Sequence, residues 1–298
     1  MKPEDILKFE PKVLSQEQRE FYFENGYLLL EKFVSEEWLD RLWQVTNGYI
    51  EKSRKKTESD EVFDLEPNHS ADTPRLRRIT YPAAHNPVFE EFAFRGPIVD
   101  LAEDLVGPSV KYHHSKLNFK WADGGEEVKW HQDIQFWPHT NYSPLTIGLY
   151  LEDVDDEMGP MGVVPGSHRG EIFDLYGDDG SWVGAVKNRD MERVDLDKVV
   201  WLKGPKGSVT IHNCRMVHGS MVNSSPRSRP LLLHTYSSGD ALPLRGAGTT
   251  GPRCSELIRG EPARWVHYDQ EPCLIPPDWS KGYTSIFALQ QEEEAAAD

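Results

Sequence analysis

Trp130-His131-Gln132-Asp133-Ile134-Gln135-Phe136-Trp137-Pro138 carries a His-x-Asp pair near its start. On an extended segment, residues two apart point to the same face, so His131 and Asp133 present an imidazole and a carboxylate side by side. Those are two of the three protein ligands of an open ferrous site. The third, a histidine, has to come from a non-adjacent strand. Gln132 points the other way and reads as packing or a supporting hydrogen bond.

Outward from this stretch the chain is rich in short strand-like runs. They are Val110 to Phe119, Leu145 to Leu151, Met161 to Val164, Gly207 to His212 and Pro230 to Tyr236. Turn clusters separate them at Asp123-Gly124-Gly125, Met158-Gly159-Pro160, Pro165-Gly166-Ser167 and Gly204-Pro205-Lys206-Gly207. Many short strands with regular turns suggest a sandwich or a jelly roll.

Upstream the pattern is helical. Ser15-Gln16-Glu17-Gln18 is a capping box opening a helix that stops at Asn25-Gly26. Tyr27 to Leu30 reads as a short buried strand. Ser35 caps a longer helix carrying Trp38, Leu39, Leu42, Val45 and Tyr49 at helical spacing. Lys52 to Glu61 is a charged loop. Two further helices start at Asn86-Pro87 and Gly96-Pro97. The expectation is one mostly β domain buttressed by N-terminal helices: a helical part over about 14–106, a β core over about 109–237 and a loop or lid region over about 239–298. Gln290 to Asp298 reads as a frayed end.

Composition narrows the function. The 298 residues are 38% hydrophobic and 11% aromatic, enough for a core. The net charge of −16 argues against nucleic acid or an anionic membrane surface as a partner. A local Arg or Lys still permits an anionic small molecule. No run approaches the length of a membrane span, and the acidic N-terminus is unlike a signal peptide. Three cysteines without a CxxC suit a reducing cytoplasm. A monomer or homodimer is expected.

Context leaves two histidines as the third ligand, His212 and His218. An open iron site with a 2-oxo-diacid cosubstrate also needs a cation for the distal carboxylate, and Arg suits it by its bidentate fork. Arg227 and Arg229 both lie shortly after His218, and Arg229 directly precedes the strand-like Pro230-Leu231-Leu232-Leu233.

Taken together, WHQDIQFWP, MGPMGVVPGSHRGE, GSVTIHNCRMVHGS and RSRPLLLHTY resemble the phytanoyl-CoA dioxygenase family of iron(II)/2-oxoglutarate oxygenases, the group that includes ectoine hydroxylase. The resemblance runs from about Leu14 to Tyr236 and covers the C-terminal region weakly. It implies a double-stranded β-helix (cupin-like jelly roll). It assigns His131, Asp133 and His218 to iron(II), and favours Arg229, eleven residues after the distal histidine, for 2-oxoglutarate. Asn118 and Ser220 match two further 2-oxoglutarate positions. Arg227 is then a surface or supporting residue, and His168 in PGSH is structural. The implied reaction consumes dioxygen and 2-oxoglutarate and hydroxylates a C–H bond of a small-molecule metabolite, releasing succinate and CO2. Retention of Asp133 favours hydroxylation over halogenation; desaturation, epoxidation or ring formation use the same ligands. A β-helix that binds a small molecule without turnover is the reading of another class.

For the substrate pocket, position in sequence points to His114, Lys116, Phe136, Trp137, His139 and Arg215. Trp182, in the loop Asp178 to Gly184, is expected to cover it. The Gly-rich stretch from Arg245 to Arg253 is a second cover. Aromatic residues after the His-x-Asp pair are also what a strand-rich core uses, most of all Trp137.

Overall fold

The computed structural model describes residues 1–122, 127–244, 251–269, 271–278, 286 and 290. In chain order the elements are α1 (Pro3–Ile6), α2 (Gln16–Asn25), β1 (Tyr27–Leu30), α3 (Glu36–Ser53), β2 (Phe63–Leu65), β3 (Leu76–Thr80), α4 (Pro82–His85), α5 (Pro87–Arg95), α6 (Ile98–Val106) and β4 (Val110–Lys120). Then come β5 (Val128–His131), β6 (Leu145–Tyr150), β7 (Met161–Val163), β8 (Val200–Leu202), β9 (Val209–Asn213), β10 (His218–Ser220), β11 (Arg229–Ser238) and β12 (Glu256–Arg259). No described helix is long and apolar enough to cross a membrane.

Two antiparallel sheets face each other as a jelly roll. The larger runs β1-β9-β6-β11-β4-β3-β2, with β12 also on β4; the smaller runs β5-β10-β7-β8. Alternation along the large sheet sorts its two faces. Leu232 and Tyr236 of β11, Leu117 and Phe119 of β4, Ile147 and Leu149 of β6, and Val209 and Ile211 of β9 form one core with the apolar faces of α3, α5 and α6. Tyr236 Oη donates to Ala93 O at 2.7 Å, fixing α5 to the sheet. The opposite face, with Leu231 and Leu233 of β11, looks into the barrel.

The capping box at Ser15 is formed as expected, and Gly26 closes α2 with a positive φ of 83°. A Cβ there would stand 2.4 Å from His168 Nδ1, so glycine serves both the turn and the close approach. His168 itself bonds Phe23 O through Nε2 at 3.1 Å, the structural role expected of it.

Several expectations need correction. The strand expected over Tyr27–Leu30 is present and pairs with β9 across Tyr27↔His212, but the helical part also supplies β2 and β3, which join the same large sheet. The strand β5 ends at His131, and Asp133 opens a 3-10 turn over Asp133–Gln135. Gln132 nonetheless stays extended, at φ −125° and ψ 133°, so the pair still shares a side. Of the stretch Gln290 to Asp298 expected to fray, 291–298 lie outside the described residues and Gln290 is not frayed. It is buried, accepts from Lys129 N at 2.9 Å and donates to Gly184 O at 3.1 Å. The expected turn at Asp123 to Gly125 lies outside the described residues, as do 245–250.

Candidate metal centre

His131 and His218 are direct partners across β5 and β10, so adjacent strands set them side by side. Their ring centroids are 4.1 Å apart. His131 Nδ1 lies 2.8 Å from Lys129 O, and His218 Nδ1 lies 2.9 Å from Met216 O. A carbonyl only accepts, so each Nδ1 carries the proton and each Nε2 presents its lone pair. Asp133 Oδ1 stands 3.9 Å from His131 Nε2 and 4.0 Å from His218 Nε2. The three ligand atoms lie within 4.8 Å of one another, and all three residues are buried.

The other carboxylate oxygen is tied back. His212 Nε2 lies 3.4 Å from Asp133 Oδ2, and Thr146 Oγ1 donates to the same atom at 3.3 Å. His212 on β9 and Thr146 on β6 are cross-strand partners, so one rung of the large sheet holds Asp133. His212, the other histidine left open by context, is thus a support for the ligand set. Thr146 carried no signal in the sequence, because its role depends on strand register.

Burial dominates the titration of the centre. It pushes the His131 imidazole down to about 4 and His218 well below its ordinary value. It would push the Asp133 carboxyl up; the His212 hydrogen bond, the attraction to His218 when that ring is protonated and the Lys116 charge outweigh it and hold Asp133 well below the usual range. Two neutral imidazoles and one carboxylate form the state that binds a divalent metal. The donor set fits iron(II): two nitrogens and one oxygen on one side, with a cavity on the other.

That cavity, of about 60 Å³, is lined by all three ligands together with Asn118, Ser220 and Arg229. Arg229 is 3% exposed; its Nη1 donates to Gly159 O at 2.7 Å, and its Nε has no partner. Burial lowers the guanidinium from its ordinary value, and it has no acidic partner among the described residues. Asn118 Oδ1 is likewise buried and unpaired. Arg227 instead pairs with Asp155 at the surface. Unpaired buried donors and acceptors around a cavity mark a place for a polar ligand.

The residues expected in the substrate pocket divide. Lys116 lines the same cavity. Phe136 sits edge-on to His131 at 5.8 Å and Trp182 edge-on to Phe136 at 5.3 Å; both pack with the cluster that holds Trp137, and neither lines the metal cavity. His114 packs at 6.1 Å from Trp137 and bonds His113, Nδ1 to Nδ1, at 2.6 Å. Trp137 belongs to a buried cluster with Ile134 and Val164, and His139 bonds Trp137 O at 2.7 Å; both are packing residues. Arg215 does not reach the centre. It donates to Glu271 at 2.9 Å, lies 4.4 Å over the Tyr142 ring and borders a separate cavity of about 470 Å³. Its backbone carbonyl accepts from Gln132 Nε2 at 2.7 Å, which is the support expected of Gln132. Arg253 pairs with Glu256 and Glu90 at the surface rather than covering the pocket. Ile286 lines the iron cavity, a contact for which the sequence held no signal.

Comparison with known proteins agrees with this geometry. The profile of the phytanoyl-CoA dioxygenase family matches residues 22–231. A "probable alpha-ketoglutarate-dependent hypophosphite dioxygenase" of Stutzerimonas stutzeri is 32% identical over 282 residues, covering 94% of this chain and 98% of its own. An ectoine dioxygenase of Sphingopyxis alaskensis is 27% identical over 266 residues, covering 84% and 85%. The crystal structure of EctD from S. alaskensis with bound Fe superposes with a TM-score of 0.66 at 23% identity over 87% of this chain and 88% of that one.

Proposed function

The chain belongs to the phytanoyl-CoA dioxygenase family, and from that premise we propose how its residues divide the work of an iron(II)- and 2-oxoglutarate-dependent dioxygenase acting on a small molecule. The observation that carries the assignment is the single buried cavity shared by His131, Asp133, His218, Arg229, Asn118 and Ser220. The two imidazoles and the Asp133 carboxylate hold the metal. Arg229, lacking an acidic partner among the described residues, receives the distal carboxylate of 2-oxoglutarate. Asn118 and Ser220 donate to its remaining oxygens.

When bound, iron(II) supplies the dioxygen chemistry: 2-oxoglutarate goes to succinate and CO2, one oxygen atom enters succinate, and the other enters the substrate as a hydroxyl. The protein's own contribution is positional. Two backbone carbonyls fix the imidazole tautomers, and His212 with Thr146 fixes the carboxylate. Ile286, Leu231 and Leu233 give the cavity its apolar lining, and Phe136 packs edge-on against His131. Hydroxylation is the outcome that the retained Asp133 supports. The name of the Stutzerimonas relative makes hypophosphite one substrate to try beside carbon-based metabolites. Three unpaired cysteines support a reducing compartment such as the cytoplasm.

The test is succinate formation by the iron-loaded protein with 2-oxoglutarate and oxygen. Arg229→Ala is expected to raise the 2-oxoglutarate requirement by about 100-fold, the loss of a bidentate charged pair, and Arg227→Ala to leave it unchanged. Equal effects of the two substitutions, or no 2-oxoglutarate consumption by the parent protein, would sink the assignment.

A further inference from the structure

The inner face of β4 presents His114, Lys116, Asn118 and Lys120, two residues apart. Their partners across β11 are Thr235, Leu233, Leu231 and Arg229. Lys120 is engaged by the carbonyls of Ser220 and Met221. Lys116 is different. It lines the iron cavity, yet its ammonium makes no hydrogen bond or ion pair among the described residues.

Its surroundings offer no spare anion. Among the described residues lining the cavity, Asp133 alone is acidic, and Asp133 belongs to the metal. Arg78, opposite Asn118 on β3, already pairs with Asp64 at 3.4 Å. On the reading of this cavity as the iron and 2-oxoglutarate site, the charges of iron(II), Asp133, doubly ionised 2-oxoglutarate and Arg229 cancel. Lys116 leaves one positive charge over. Lys116 is half-buried, and an ammonium held inside a cavity without an anion gives up hydration for no pairing; burial does lower its pKa, with Asp133 offsetting part of the effect.

We propose that Lys116 is the counter-ion of the substrate, and that the substrate is a compact molecule carrying one negative charge. His114, the next residue along the same face, offers a second donor. The Nε2 of His113 is buried without a partner, which costs less as a bare lone pair than as an N–H. His113 then carries its proton on Nδ1 and donates it to His114 Nδ1. That leaves His114 protonated on Nε2, which has no partner among the described residues.

The experiment is an oxygen-free calorimetric titration of the full-length protein loaded with iron(II) and saturating 2-oxoglutarate. Hypophosphite and acetate serve as compact monoanions, and acetamide as the neutral counterpart of acetate. The parent protein is expected to bind the anions at least about tenfold more tightly than acetamide. Lys116→Met is expected to abolish that preference while 2-oxoglutarate affinity stays within about twofold, and Lys116→Arg to keep most of it. Three results would overturn the proposal: a parent protein without preference for anions, a Met variant that keeps the preference, or a Met variant that weakens 2-oxoglutarate binding instead. The last would make Lys116 a cosubstrate contact. Lys116→Gln replaces the Met variant if circular dichroism shows it unfolded. Failure of the parent protein to bind 2-oxoglutarate at all would overturn the cavity assignment first, and the proposal with it.

Discussion

His131 and Asp133 were legible because iron chemistry constrains residue type and spacing together, whereas His218 over His212 and Arg229 over Arg227 rested on the family resemblance; in the structure His131, Asp133, His218 and Arg229 line one cavity. Arg215, chosen by position in sequence, misled. It lies three residues before His218, but the Asn213 to Val217 turn carries it to the outer side, over Tyr142. His212 and Thr146 act only through strand register, which no local pattern encodes. Their action on Asp133 predicts that His212→Phe, which keeps the ring but loses the hydrogen bond, lowers iron(II) affinity by about 10- to 100-fold, as loss of an outer hydrogen bond to a metal ligand does. A metal-binding titration checks it. Unchanged affinity would mean that Thr146 alone orients the carboxylate.

Element by element, the helices were the clearest part of the sequence, since caps and periodicity announce them locally. The short strands β2 and β3 were not, because three- and five-residue strands depend on their neighbours for pairing. A bulge in β4 was equally hidden. Thr235 faces His114 and Tyr236 faces Tyr112, so His113 is an extra residue. It reverses the alternation: Leu117 and Phe119 meet the helices from odd positions, Tyr112 from an even one. A different constraint acts where β10 meets β5. A Cβ on Gly219 would lie 2.8 Å from Val128 O. Gly219→Ala must therefore push β5, and His131 with it, away from His218. The expected result is a folded protein with iron(II) affinity reduced by about tenfold or more, read by metal titration beside circular dichroism. A tight metal site in that variant would show that the strands part without moving the ligands.

For the molecule as a whole, acid is the expected weakness. Burial lowers His114 and His234 to about 3, and His131 and His139 to about 4, from an ordinary value of 6.5. His234 has both ring nitrogens unpaired beneath Phe92. The unfolded chain protonates these groups below about pH 6.5, whereas the folded chain resists until about pH 4 or lower. Stability from these groups is thus complete above pH 6.5 and lost as the pH falls. By pH 5 each costs about 2 kcal/mol, a sum comparable to the whole stability of a domain. Metal-free protein should unfold near about pH 5 in a thermal or denaturant series, and His234→Met should shift the transition to lower pH. A flat stability profile between pH 7 and 5 would contradict the burial of these imidazoles.

The strand β4 holds none of the metal ligands, yet its inner edge supplies His114, Lys116 and Asn118. The metal ligands and the proposed substrate-facing residues His114 and Lys116 therefore stand on separate strands, with Asn118 of β4 left to the cosubstrate. A lineage can exchange the side chain at position 116 or 114 without disturbing the iron, and so acquire a new substrate by one or two codon changes while its chemistry stays intact. Diversity among relatives should then concentrate on alternate positions of that one strand, a pattern that sequencing of close homologues would expose.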